Sequence, residues 1–142
     1  MRVSMSDKKN ISPQRLDASV GIDETSRLID FVCAIAVQAD MVERKVYQLH
    51  LVIEEALANV VNYSGATRMG VSVWLQDQSL CVAIDDDGKP FDPTSVPPVD
   101  VNVPGDERRI GGLGILYIRR MSDHMAYRRE DGKNILTITK NL

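Results

Sequence analysis

Five of the six prolines, Pro90, Pro93, Pro97, Pro98 and Pro104, crowd into one stretch of the chain. Proline lacks a backbone donor and fixes φ, so neither a regular helix nor a central strand runs through that stretch. An irregular connection of about 20 residues is uncommon inside a compact domain and often serves as a lid or binding loop, the alternative being an insertion without a role. The chain therefore divides into a block before the prolines and a block after them, each with its own periodicity.

In the first block, residues 15–20 alternate as a short strand. Leu28, Ile29, Val32, Ile35 and Ala36 then recur at helical steps, with Asp23 or Thr25 as the expected cap. A second helix is expected from residues 41–43 to Tyr63, capped by Asp40, with Val46, Leu49, Ile53, Ala56, Leu57 and Val60 as its apolar stripe and Ser64-Gly65 as its end. The period then changes to two. Met69, Val71, Val73 and Leu75 alternate with polar or small neighbours, residues 77–79 form a turn, and residues 80–84 return as a second strand. In the second block a helix follows Gly114, and residues 125–129 and 134–140 flank the turn Glu130-Asp131-Gly132-Lys133 as a closing hairpin. This order predicts an α+β fold: a two-layer α/β sandwich with a mostly antiparallel mixed sheet and helices on one face. Residues 1–13 are polar and expected to be disordered, leaving residues 14–142 as one domain.

Composition narrows the function classes. A chain that is 44% hydrophobic and 26% charged is an ordinary globular protein. A net charge of -3 with no basic run argues against direct nucleic-acid binding. No apolar run is long enough for a membrane span and no signal-peptide core opens the chain, so a cytoplasmic location is expected. Cys33 and Cys81 sit in apolar segments and read as small buried hydrophobes. His50 and His124 lack metal-ligand spacing; the first reads as a helix-surface residue and the second as the end of the third helix.

Three segments carry candidate chemistry. Gly111, Gly112 and Gly114 permit close backbone approach and lead into a helix, whose free N–H groups and positive dipole end suit phosphate; tight helix packing is the competing explanation. Glu55, Asn59 and Asn62 are spaced four and three residues apart and share a helix face, offering hard oxygen ligands of the kind Mg²⁺ accepts; a solvated face would read the same way. Asp85, Asp86 and Asp87 end a strand before Gly88. Consecutive strand side chains point to opposite faces, so the three cannot chelate one ion, and a turn with one inward aspartate is expected.

Taken together, Glu-Glu-Ala-x-x-Asn-x-x-x-Tyr, Asp-x-Gly-x-Pro-Phe-Asp-Pro and Gly-Gly-Leu-Gly-Ile, in this order, closely resemble the N, G1 and G2 boxes of the GHKL ATPase superfamily with its Bergerat ATP-binding fold. Within it the chain is most similar to the anti-sigma-factor serine/threonine kinases of RsbW/SpoIIAB type, over residues 15 to 142. The resemblance implies ATP and Mg²⁺ as cofactors and Glu55 as the general base. It places Asn59 on the metal, Asp86 on the adenine amine, and Gly88 where room for the ring is needed. The rest of the implied nucleotide set is Asn62, Arg109, Gly111, Gly112, Leu113, Gly114 and Ile115, with residues 92–110 as the lid. Ile110 and Tyr63 depart from residues common in the family. The implied partners are a STAS-type anti-anti-sigma protein and a sigma factor or similar target, with a homodimer also expected. The competing readings are an ATP-dependent protein-binding module without phosphoryl transfer and a detached histidine-kinase catalytic domain.

Overall fold

A computed structural model describes residues 11–95 and 112–142. The expected disorder of residues 1–13 falls largely outside the described residues, as do Arg109, Gly111 and most of the proline-rich stretch. The element order is strand β1 (Gln14–Ser19), helices α1 (Ile22–Gln38) and α2 (Glu43–Asn59), strands β2 (Arg68–Gln76) and β3 (Ser79–Asp86), helix α3 (Gly112–Met121), and strands β4 (His124–Glu130) and β5 (Lys133–Asn141). The strands form one sheet in the order β1-β2-β3-β5-β4, and all four pairings are antiparallel. The α+β sandwich is thus the observed architecture.

The two hydrophobic periods meet in the core. Val71 faces Ile84 and Val73 faces Val82 across β2–β3, while Ile138 faces Val82 across β3–β5. These side chains pack against Leu28 and Val32 of α1, Leu49, Ile53 and Leu57 of α2, and Ile118 of α3, all fully buried or nearly so. Helix α2 packs against both other helices. Lys140 joins the far end of this assembly: its buried ammonium donates to Gln48 Oε1 (2.8 Å) and to the Met121 carbonyl (2.6 Å), linking β5 to α2 and to the C-terminus of α3. Burial pulls its pKa below the ordinary lysine range, and the helix-end carbonyl is a favourable partner for the charged form.

Local capping departs from the expected pattern. Neither Asp23 nor Thr25 caps α1; its N-cap is Gly21, and the Thr25 hydroxyl donates to the Gly21 carbonyl at 2.9 Å. Asp40 does not cap α2, whose N-cap is Val42. Instead Asp40 stops α1. It takes φ 60, its N–H reaches the Val37 carbonyl and the Met41 N–H reaches the Ala36 carbonyl, the Schellman arrangement with aspartate in the glycine place. Aspartate tolerates that left-handed conformation better than most side chains. The second helix also loses its regular winding at Asn59 and ends in a single π turn, Val60–Ser64, closed by Gly65 at φ 69. His124 opens β4 rather than ending α3.

β3 is buried along both faces. On the face away from the helices, Arg15 reaches across β2 to Asp85, with Nη1–Oδ2 at 2.7 Å and Nη2–Oδ1 at 2.9 Å, and also donates to Ser72 Oγ at 2.8 Å. Gly70 makes this crossing possible, since a Cβ there would stand 2.5 Å from Arg15 Nη2. Hydrogen bonds donated to Asp85 and then to Asp17 hold the guanidinium above its usual pKa. Arg15→Met leaves the Asp85 carboxylate, 12% exposed, without its partner. The expected loss is about 1–3 kcal/mol, read as a lower urea midpoint at unchanged slope.

Candidate nucleotide site

The π turn decides which residues of the second helix reach a common site. By regular winding Glu55, Asn59 and Asn62 share a face, but the wider turn after Asn59 shifts the residues beyond it. Asn59 lines a pocket with Ala56, Val60, Ser64, Ile84, Asp86, Phe91, Pro93, Tyr127, Asn134 and Leu136. Asn62 is exposed and lines a different hollow, between α1 and α2. The face expected from sequence is therefore broken, and Asn62 lies outside the pocket.

Three consecutive aspartates have three separate tasks, as strand alternation requires. Asp85 points to the outer face and is taken up by Arg15. Asp86 points inward, is 5% exposed, and accepts at Oδ1 from the Gly88 N–H (2.9 Å) and from Asn134 Nδ2 (3.1 Å). Its other oxygen has no hydrogen-bond partner among the described residues. Asp87 turns outward and closes the loop, accepting from the N–H groups of Thr67 (2.8 Å) and Arg68 (3.0 Å) and from the Thr67 hydroxyl (2.8 Å). Among the described residues no group of three or more His, Cys, Asp or Glu side chains is placed to hold a metal.

Gly88 packs directly on Ser64: a Cβ there would collide with the Ser64 carbonyl oxygen and Cβ. Lys89 N–H donates to the same carbonyl at 2.9 Å, so the turn after β3 is pinned to the π turn. Ser64 Oγ in turn donates to the Val60 carbonyl (2.7 Å) and accepts from the Ala66 N–H (3.1 Å), which steadies the widened backbone.

Gly112, Leu113 and Gly114 form the first turn of α3, where backbone N–H groups have no partner within the helix. A Cβ at Gly114 would run into the Glu55 carboxylate, so this turn lies against Glu55. Asn59 follows one turn later on α2, is 8% exposed, and makes no side-chain hydrogen bond among the described residues. The Ile115 side chain is buried, leaving its backbone as the only part able to meet a ligand. A buried, unpartnered carboxamide beside a carboxylate is a fitting start for a hard cation whose other ligands are waters and phosphate oxygens.

Asn134 is the residue that sequence reasoning passed over. It stands opposite Asp86 in the β3–β5 ladder and is 5% exposed. Its oxygen accepts from Tyr127 Oη (2.6 Å), Arg129 Nη1 (3.1 Å) and the Phe91 N–H (3.1 Å), while its nitrogen donates to Asp86 and to the Lys89 carbonyl (2.8 Å). Only the register of two distant strands reveals this, and no local motif announces it. Ser64 of the π turn, Phe91 and Pro93 of the segment after β3, and Tyr127 of β4 also line the pocket. Its volume is about 40 Å³, with Phe91 and Pro93 forming part of its wall. Arg119 of α3 holds that wall by donating to the Pro93 (3.1 Å) and Thr94 (2.7 Å) carbonyls.

Residues 21–140 match the family described as the histidine kinase-like ATPase domain. The chain is 30% identical to a serine-protein kinase RsbW of Halalkalibacterium halodurans over 66% of its length and 61% of the relative's. It is also 30% identical to the serine/threonine-protein kinase BtrW of Bordetella bronchiseptica, over 67% and 70% of the two chains. It thus spans less than two thirds of the first relative and somewhat more of the second. Among solved structures, the RsbU and RsbW domains of a Mycobacterium tuberculosis protein superpose with TM-score 0.67 at 13% identity, covering 92% of this chain and 32% of that one. The SiaB-SiaC complex of Pseudomonas aeruginosa gives TM-score 0.58 at 13% identity, covering 91% and 89%. These two likenesses speak to the fold.

Two predictions test the site's construction. Gly88→Ala meets backbone and is expected to cost about 1–3 kcal/mol, whereas Gly114→Ala meets only the tip of Glu55 and gains up to about 1 kcal/mol of helix propensity. Urea unfolding distinguishes them, and the Glu55 carboxyl ¹³C shift should move only in Gly114→Ala. The Arg68 N–H first, then the Thr67 hydroxyl and N–H, hold the exposed Asp87 carboxyl down to about 2. A lowered folded-state pKa contributes stability above the unfolded value of about 3.9 that is lost as pH falls through the folded one. A ¹³C titration of Asp87 should therefore show its midpoint near 2.

Proposed function

The chain belongs to the histidine kinase-like ATPase domain family, and on that premise we propose that it binds Mg·ATP and phosphorylates a serine or threonine of a small STAS-type partner. In the same reading it sequesters a sigma factor or a similar regulatory target. The observation that carries the proposal is convergence: the first turn of α3 rests on Glu55, Asn59 opens into the pocket beside it, and Asp86 offers one free acceptor from the opposite wall. The names of two relatives as serine or serine/threonine kinases support the choice of acceptor.

Each residue has a task in this reading. Asp86 Oδ2 accepts the exocyclic amine of adenine, and Ala56, Val60, Ile84 and Leu136 enclose the ring. The N–H groups of Gly112, Leu113 and Gly114 face the phosphates with the positive end of α3 behind them. Arg109 and Gly111 belong to the same set by sequence and lie outside the described residues. Asn59 would hold Mg²⁺, which neutralises charge between the phosphates when bound. Glu55 takes the proton of the attacking hydroxyl as its oxygen bonds to the γ-phosphorus and the bond to the ADP oxygen breaks. Phosphoryl transfer asks mainly for positioning and charge neutralisation, which this arrangement supplies.

The deciding experiment is transfer of label from γ-labelled ATP to purified STAS-domain proteins from the same genome. Label on a serine or threonine is expected. Tight ATP binding with no transfer to any of them would leave a nucleotide-gated binding module instead. Glu55→Gln should lower transfer about 10²–10⁴-fold while ATP still binds. Asn59→Ala should weaken binding in Mg²⁺ and leave the weaker metal-free binding unchanged, as calorimetry with and without a chelator would show.

A further inference from the structure

The hydrogen bonds of Asp86 are unevenly shared between its two oxygens. Oδ1 carries the Gly88 N–H at 2.9 Å and Asn134 Nδ2 at 3.1 Å, whereas Oδ2 carries none among the described residues. A carboxylate oxygen has about two lone-pair sites, so Oδ1 is saturated. The Asn134 amide has no freedom to turn away, because three donors converge on its oxygen and its nitrogen is shared with the Lys89 carbonyl. Both residues are about nine-tenths buried or more, so no bulk water takes over these bonds.

We propose that Asn134 is a specificity-determining residue: by occupying Oδ1 it leaves a base only the Oδ2 oxygen of Asp86 and so selects adenine over guanine. The proposal rests on the reading of this pocket as a nucleotide site. Adenine presents one exocyclic amine, which one free oxygen satisfies. Guanine presents N1–H and its 2-amine side by side, a pair that matches both oxygens of a carboxylate at once. With Oδ1 taken, the two parallel bonds cannot form; both guanine donors crowd onto Oδ2 and at least one is bent away from a good angle, which is costly for a buried donor. Asn134 touches no base in this arrangement; it acts through Asp86 as a positioning residue.

The 2-amine provides a clean test, since inosine triphosphate is GTP without it. In the wild-type protein GTP should bind no tighter than ITP, and ATP should exceed both by about tenfold. Asn134→Ala opens one site on Oδ1 to the 2-amine. GTP should then bind about tenfold tighter than ITP, while ATP loses affinity through the loosened pocket. A purely structural role for Asn134 would weaken all three nucleotides in parallel, and that result overturns the proposal. If the variant does not fold, the wild-type comparison still decides: GTP clearly tighter than ITP means Oδ1 is accessible and the proposal fails. Absence of ATP binding to the wild-type protein overturns the nucleotide reading itself, and this inference with it.

Discussion

Strands β3 and β5 pair from Ser79 opposite Asn141 to Asp86 opposite Asn134, and through that ladder the two blocks on either side of the proline-rich stretch share one sheet. Every backbone bond of an antiparallel pair fixes the register of the next, and a slip of one residue would turn each side chain to the other face. The cost of such a slip is high here because both strands bury apolar side chains under the helices. Val82 and Ile84 on one strand meet Ile138 and Leu136 on the other. The same register that closes the core thus sets Asn134 against Asp86. Packing and chemistry share one constraint.

The sheet's two faces divide the polar work. Outside, Arg15 lies across Gly70 to hold Asp85 on the outer surface of β3. Inside, Asp86 leaves one oxygen without a partner among the described residues, while the turn beyond it is anchored on Ser64. α2 serves both layers at once. Its apolar stripe closes the core through Leu49, Ile53 and Leu57, and the neighbouring stripe carries Asn59 into the pocket and Glu55 against Gly114. The π turn then ends the helix in a way that turns Asn62 off that edge. Widened turns of this kind recur at functional sites, where the helix must change which side chains it presents.

Much of this was legible before any coordinates. Hydrophobic period located helices α1 to α3 and strands β1 to β5 of the described residues, because a two-residue or a 3.6-residue repeat is imposed directly by which face must be buried. Spacing likewise placed Glu55 and Asn59 on one face of the second helix, and strand alternation anticipated that only one of Asp85, Asp86 and Asp87 could face inward. Caps were read less well. Asp40 looks like a helix start in sequence but ends the preceding helix, since the same short polar side chain suits both places and only the neighbouring backbone bonds choose between them. Asn62 failed for a related reason: a helix wheel assumes uniform winding, and Ser64 bonding back to Val60 in the widened turn breaks it.

The sequence by itself determined the elements, their burial faces and the residue types able to handle phosphate, because these follow from local periodicity and from side-chain chemistry. What tertiary structure alone decided was which of those residues stand together. Glu55 meets Gly114 only because α3 packs on α2, and Asp86 meets Asn134 only because two strands far apart in the chain pair in one register. Contacts of that kind depend on how the whole core closes, and no window of neighbouring residues contains them.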